Sequence, residues 1–435
     1  MASTSSNNIF LLLFQGGPFA TGSMVSSDRL FSFDSRTFVA SLRNDRLLTQ
    51  YRIIRNQIFD LLEVKSFKEI STLFDDHDRR QQITDRCHRL LGNMFGIQGN
   101  EREIVSTINS YSKVADGVIR YLKSKVLAPY SSYIEMTNEI DVISNPVELL
   151  LIVFNNRYHQ KARFEAKRKL MLMGLAGSID QRERETGVED HFRGFLEFLN
   201  KHVWSNDLRI GELEVSYLLS HHDPERFTCQ EAKVIGPKEA KTICGAKGTK
   251  LTLIKRRRFQ ANGRSIPIYV SIRKKPPEAK VLKLLRKGEE NPAIAVDDEL
   301  GLMAVLDSMA EVKLFHKHLA NCAVKAGSFM TFEEVSDTLT GGRHQSSSIG
   351  SSSQTRMFKF FARMGGMRVE FIIHTNQTYL NYIYEREVSH DEYEVKRIFD
   401  SGVAELLFPR EIYYLDMEDV KNRQLQLFRN QIEAF

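Results

Sequence analysis

A chain of 435 residues, 42% hydrophobic and 27% charged, has room for two or three units and enough apolar surface for a core, which excludes wholesale disorder. Its four cysteines, Cys87, Cys229, Cys244 and Cys322, form no C-x-x-C pair, which argues against a disulfide framework or structural zinc and for a reducing, cytoplasmic compartment. The net charge of +6 is uneven: residues 247–287 hold fourteen Lys or Arg against one acid, Glu278, so this segment carries +13 and the remainder −7.

Residues 1–39 read as a flexible tail. The first basic residue is Arg29, and the apolar run at 9–14 is only six residues long, which fits neither a secretory signal nor a membrane span. No membrane partner is expected. Residues 40–205 read as a helical domain. Leu47, Tyr51, Ile54, Ile58 and Leu61 step by threes and fours and build one apolar stripe. Residues 83–95 and 104–126 repeat the pattern, Pro129 and Pro146 punctuate it, and 147–204 turn helical again. No residue set in this half carries nameable chemistry. It is expected to meet a protein partner or a second copy of itself.

The texture changes near Asn206, where 212–219 begin with strand-like alternation. Residues 249–260 and 265–275 are β-rich runs joined by Ala261-Asn262-Gly263-Arg264. Asn-Gly between such runs predicts a tight hairpin, because both residues tolerate positive φ. Pro276-Pro277 end the second run, and 278–287 predict a helix capped by Gly288. A strand at 302–306, a helix at 311–321 and a Ser/Gly-rich stretch at 341–353 follow. Two β runs at 357–363 and 367–374 flank Gly365-Gly366, and helices at 378–387 and 390–400 come last. The expected fold class is α+β: a helical N-terminal half, a mixed or antiparallel sheet domain over 206–420, and a closing helix or tail at 421–435.

Four groups of residues could carry chemistry. Arg273, Lys274, Lys275, Lys280 and Lys283 cluster at a strand-to-helix turn, where cations and free backbone N–H groups gather phosphates. With Lys255, Arg256, Arg257, Arg258 and Arg264 they offer a surface to a nucleotide or nucleic acid; the alternative is a solvated basic edge strand. Asp298, in the acidic pair before the 302–306 strand, could hold magnesium or be a solvated turn. Glu370 alternates with apolar neighbours in the last strand. It points either to solvent or into a site where, with Asp298, it would clamp one metal ion and orient a hydroxyl. In Ser389-His390-Asp391-Glu392-Tyr393, His390 and Tyr393 share a helix face, and Ser389 could simply cap that helix. His221-His222-Asp223 precedes Pro224 and lacks the partners of a metal site, and Asp75-Asp76-His77-Asp78 reads as a helix boundary.

The order of these groups is basic turn and helix, D-x-x-G, V-E-x-x-I-x-T, then H-x-x-Y. It resembles the synthetase domain of the RelA/SpoT family over roughly residues 265–400. The resemblance implies a nucleotidyltransferase-like fold that transfers pyrophosphate from ATP to an acceptor hydroxyl. Arg273, Lys275, Lys280 and Lys283 would grip the ATP phosphates, and Asp298 and Glu370 would be the catalytic carboxylates that hold Mg2+. The sequence departs from the family pattern at Ala279, Met303, Ile372 and His374 and at Gly350-Ser351. The departures touch the phosphate grip and the stacking of an acceptor guanine.

Overall fold

The computed structural model describes residues 45–204, 213–297, 300–342, 352–364 and 366–434. It has two compact units whose segments alternate along the chain. The helical unit takes Met1–Glu185, Pro276–Val296 and Arg397–Gln424; the sheet unit takes Thr186–Lys275, Asp297–Lys396 and Leu425–Phe435. These bounds differ from the contiguous ones read from sequence. The segment behind the basic turn and a late C-terminal stretch both belong with the N-terminal helices. The expected tail at 1–39, residues 343–351 of the Ser/Gly-rich stretch at 341–353, Gly365 and Asp298 lie outside the described residues.

The helical unit is built on α1 (Asp45–Leu62), α2 (His77–Met94), α3 (Glu101–Tyr121), α4 (Pro146–Phe154) and α5 (Gln160–Thr186). Local chemistry sets their starts. Asp76 accepts from the Arg79 N–H to cap α2, Asn100 and Glu103 close a capping box on α3, and Asn145 caps α4 with Pro146 in its first turn. The region read as helical over 147–204 is helical, with breaks between α4 and α5 and at Gly187, which takes a left-handed φ of 62°. Charged residues of α5 are buried and engaged. Glu165 accepts from the Tyr413 hydroxyl at 2.9 Å, Arg168 donates to the Leu407 carbonyl at 2.7 Å, and Lys169 meets Asp116 at 3.0 Å.

The sheet unit opens with α6 (Val188–Phe198) and carries eight strands: β1 (Glu214–His222), β2 (Cys229–Ile235), β3 (Thr249–Ala261), β4 (Arg264–Lys274), β5 (Leu300–Leu306), β6 (Thr331–Asp337), β7 (Phe358–Met364) and β8 (Met367–Thr375). In the helical unit α7 (Pro277–Lys287) follows β4. In the sheet unit α8 (Met309–Lys325) follows β5 and α9 (Asn376–Tyr384) follows β8. α10 (His390–Asp400) and α11 (Met417–Glu433) close the chain. The strand order is β2-β1-β3-β4-β5-β8-β7-β6, antiparallel except for the parallel pair β5/β8. The fold is therefore α+β with a mixed sheet. One face packs Leu218, Ile254 and Val305 against Tyr379 and Leu380 of α9. The other packs Phe259 on Phe315 of α8 at 5.2 Å and Phe371 edge-on to Phe195 of α6 at 6.1 Å. Among the described residues no helix is long and apolar enough to cross a membrane.

Candidate functional site

The hairpin forms as its sequence dictates. Asn262 and Gly263 take φ of 50° and 70°, the doubly positive pair a two-residue turn requires, and Phe259 pairs with Ile266. Strand alternation then divides the basic run. Arg256 and Arg258 of β3 share a face with Arg273 of β4, whereas Lys255, Arg257, Arg264 and Lys274 point to the other. Most of these cations meet partners from distant parts of the chain. Arg256 donates to Asp307 at 2.8 Å, Arg258 to Glu214 at 3.0 Å, and Lys274 to Glu189. Arg257 lies 5.7 Å from the Trp204 ring, and burial lowers its pKa. Lys255 and Arg264 are exposed. The charge concentrated along the sequence thus forms no single basic face.

The turn behind the hairpin divides too. Arg273 and Lys275 belong to the sheet unit, Lys280 and Lys283 to the helical unit. Lys280 is fully buried and hydrogen-bonded to Glu183. Facing inward from α7 among Val281, Leu284 and Leu285, it holds that helix in its own core rather than meeting a phosphate.

Glu370 stands where β8 runs beside β5, with Gly301 opposite it. On the next strand Arg273 pairs with Gly301. A Cβ at Gly301 would stand 3.0 Å from Arg273 Nε, so a larger residue there would require the arginine to give way. Arg273 crosses over this gap, and its Nη2 reaches Glu370 Oε2 at 3.0 Å. From the other side Lys359 of β7 places Nζ 2.9 Å from Oε1. The side chains of Glu370 and Lys359 are 8% and 5% exposed and that of Arg273 is 50% exposed, so only the guanidinium opens to solvent. Lys359 also lies 5.3 Å from the Phe361 ring, on which Arg368 stacks at 3.6 Å. Burial pushes the Tyr382 hydroxyl up to about 12, with Arg273 opposing the shift, and the ring sits between His374 and His390 at 5.2 and 5.4 Å.

In this arrangement the Glu370 carboxylate is already paired with two cations, which disfavours a magnesium ion on its oxygens. Magnesium needs free carboxylate oxygens in near-octahedral geometry. Both oxygens of Glu370 already hold cations, one of them a buried lysine whose release would strand its charge. Among the described residues no three His, Cys, Asp or Glu side chains gather to hold a metal. Asp298, the expected partner of Glu370, lies outside those residues.

Other expectations resolve into structure. His222 is buried in β1 between the Ser220 hydroxyl and the Phe227 carbonyl, each at 2.9 Å. Ser389, a candidate cap for α10, is buried with its hydroxyl unbonded, and the Glu392 carboxylate takes the Glu387 N–H instead. Lys359 is a residue of this candidate site that sequence reading missed. Its signal was a lone cation inside an aromatic strand, Phe358-Lys359-Phe360-Phe361, which calls for a buried acid nearby. No protein-family model, no curated protein and no solved structure matches this chain.

Proposed function

We propose that the sheet unit is a phosphate-binding module for a nucleotide or nucleic acid, similar in plan to a RelA/SpoT-like nucleotidyltransferase but without ATP-dependent transfer. The observation that carries this reading is the Arg273–Glu370–Lys359 triad. The carboxylate that would serve magnesium instead balances two cations, and the half-exposed Arg273 guanidinium is left to receive a phosphate in bidentate fashion. The departures at Ala279, Met303, Ile372 and His374 support the same reading. The runner-up is a magnesium-dependent pyrophosphotransferase with Asp298 and Glu370 as its carboxylates and ATP as donor.

One experiment separates the two. The full chain is incubated with γ-labelled ATP, magnesium and, in turn, GDP, GTP and bulk tRNA, and binding of labelled ATP and RNA is titrated across salt. The module reading expects no label transfer and binding that weakens steeply with salt. It also expects Arg273→Gln to weaken binding and Glu370→Gln to tighten it about tenfold, by releasing a carboxylate's worth of competition. Label transfer that disappears in Glu370→Gln and also in Asp298→Ala, with the melting curve of Asp298→Ala unchanged, would overturn it in favour of the transferase.

A further inference from the structure

The two edges of the sheet differ in how open they are. At β6 the pairing with β7 slips between Glu333 and Ser336, and Glu334 takes a left-handed φ of 51°. Such a bulge twists an edge out of reach of another strand. At the other edge β2 keeps an unbroken register with β1 from Glu231 to Ile235 and contains no proline. Its backbone directions follow from its neighbours. The His222 N–H donates to the Gly248 carbonyl at 2.8 Å, so the even-numbered residues of β1 bond towards β3. The odd-numbered ones bond towards β2, to Glu231, Lys233 and Ile235. The N–H and C=O groups of Gln230, Ala232 and Val234 therefore point outward from the sheet. Cys229, where the strand begins, is closed off by α9: its N–H donates to Asn381 at 2.7 Å and its carbonyl accepts from Gln377 at 2.8 Å.

The side chains of β2 divide between two faces. Ala232 and Val234 pack with the core beneath α9, whereas Glu231 and Lys233 stand on the opposite face and are exposed. Charges on an edge commonly repel a second strand. Here their order suits one partner, a second β2 running antiparallel. With a two-fold axis at Ala232, Ala232 meets Ala232, Gln230 meets Val234, and Glu231 meets Lys233 on both sides of the axis. The charged pairs fall at the positions not bonded through the backbone, where facing side chains come closest. A two-fold axis at Glu231 or at Lys233 would instead set identical charges opposite each other. Lys233 already pairs with Glu239 at 3.1 Å, and these side chains are 63% and 48% exposed. A pair that open is weak, and an ammonium has three donors, so Lys233 can hold both carboxylates.

We propose that β2 pairs with β2 of a second copy of this chain about a two-fold axis at Ala232, which joins two eight-stranded sheets into one. The outward backbone groups supply the bonding, and the Glu231–Lys233 complementarity selects the partner and the register. The interface does not draw on the Arg273 triad.

The test is sedimentation velocity of the full chain over a dilution series, for wild type, Glu231→Lys, Lys233→Glu and an equimolar mixture of the two variants. Wild type should dimerise with a Kd of about 0.1 mM, as a short edge pairing allows. Each single reversal sets like charges opposite twice, by symmetry, and should weaken the dimer at least about tenfold. The mixture should regain wild-type affinity, because every lysine of one chain then faces a glutamate of the other. Hydrogen exchange at the Gln230, Ala232 and Val234 amides should slow as wild-type concentration rises. Wild type that stays monomeric at about 1 mM, a dimer that neither reversal weakens, or a mixture no tighter than its components overturns the proposal. Both reversals lie on exposed side chains, and circular dichroism melts check that each variant is folded.

Discussion

At the scale of single residues, the triad shows how a sequence reading can find a group and miss its role. Glu370 was visible as an acid in an apolar strand, but its sequence does not say which cation lies opposite. Pairing with Arg273 depends on the β4-β5-β8 order and on Gly301 leaving room, both non-local facts. Lys359→Met should cost about 3 kcal/mol in urea unfolding, because it breaks a pair whose other member stays buried. Lys359→Met combined with Glu370→Gln should recover most of that loss; an additive double variant would mean that the pair is not coupled. Gly177 offers a sharper steric test. A Cβ there would meet the Phe95 ring at 2.6 Å. Alanine gains up to about 1 kcal/mol of helix propensity, whereas overpacking a buried ring costs about 1–3 kcal/mol. The clash wins, and Gly177→Ala should lower stability; a rise in melting temperature would show that Phe95 can move aside.

At the scale of elements, strong local signals were legible and weak ones were not. The Asn262-Gly263 hairpin, the Gly288 cap at φ 63°, the strands β5, β7 and β8 and the helices α8, α9 and α10 follow from turn chemistry and periodicity. The strands β2 and β6 were not foreseen. They are the sheet's two edges, short and rich in charge, and half-exposed strands show little apolar alternation. The basic run was legible as charge but not as geometry, since alternation sends neighbours to opposite faces. α7 makes the same point: Lys280 looked like part of a phosphate grip and is buried on Glu183. Lys280→Met should therefore leave the salt-sensitive binding of ATP and RNA unchanged, while Lys280→Ala lowers stability by opening a cavity. Loss of binding in a folded Lys280→Met variant would restore that residue to the site.

At the scale of the whole molecule, buried and half-buried histidines set a pH limit. His88, His222, His316, His318 and His374 all have lowered pKa values, chiefly through burial, and His374 falls to about 4. Each folded value lies below the unfolded one, so the unfolded chain takes up protons first. Stability is intact above about pH 6.5 and declines as pH falls from there towards 4. For the fully buried His374 the loss is roughly 3 kcal/mol. Four of the five lie in the sheet unit and one in the helical unit. Hydrogen exchange should show sheet-unit amides losing protection first between pH 6.5 and 4.5, and His374→Phe should flatten that dependence. Equal loss in both units, or an unchanged slope in the variant, would count against this account.

The alternation of segments has a consequence for how the protein is made. Six segments in turn mean five crossings from one unit to the other. The first helices cannot complete their core as they emerge from the ribosome. Arg168 needs the Leu407 carbonyl and the Tyr413 hydroxyl, both encoded far downstream. A nascent chain therefore carries an unfinished helical core until the residues leading to Gln424, more than two hundred positions after Arg168, have emerged.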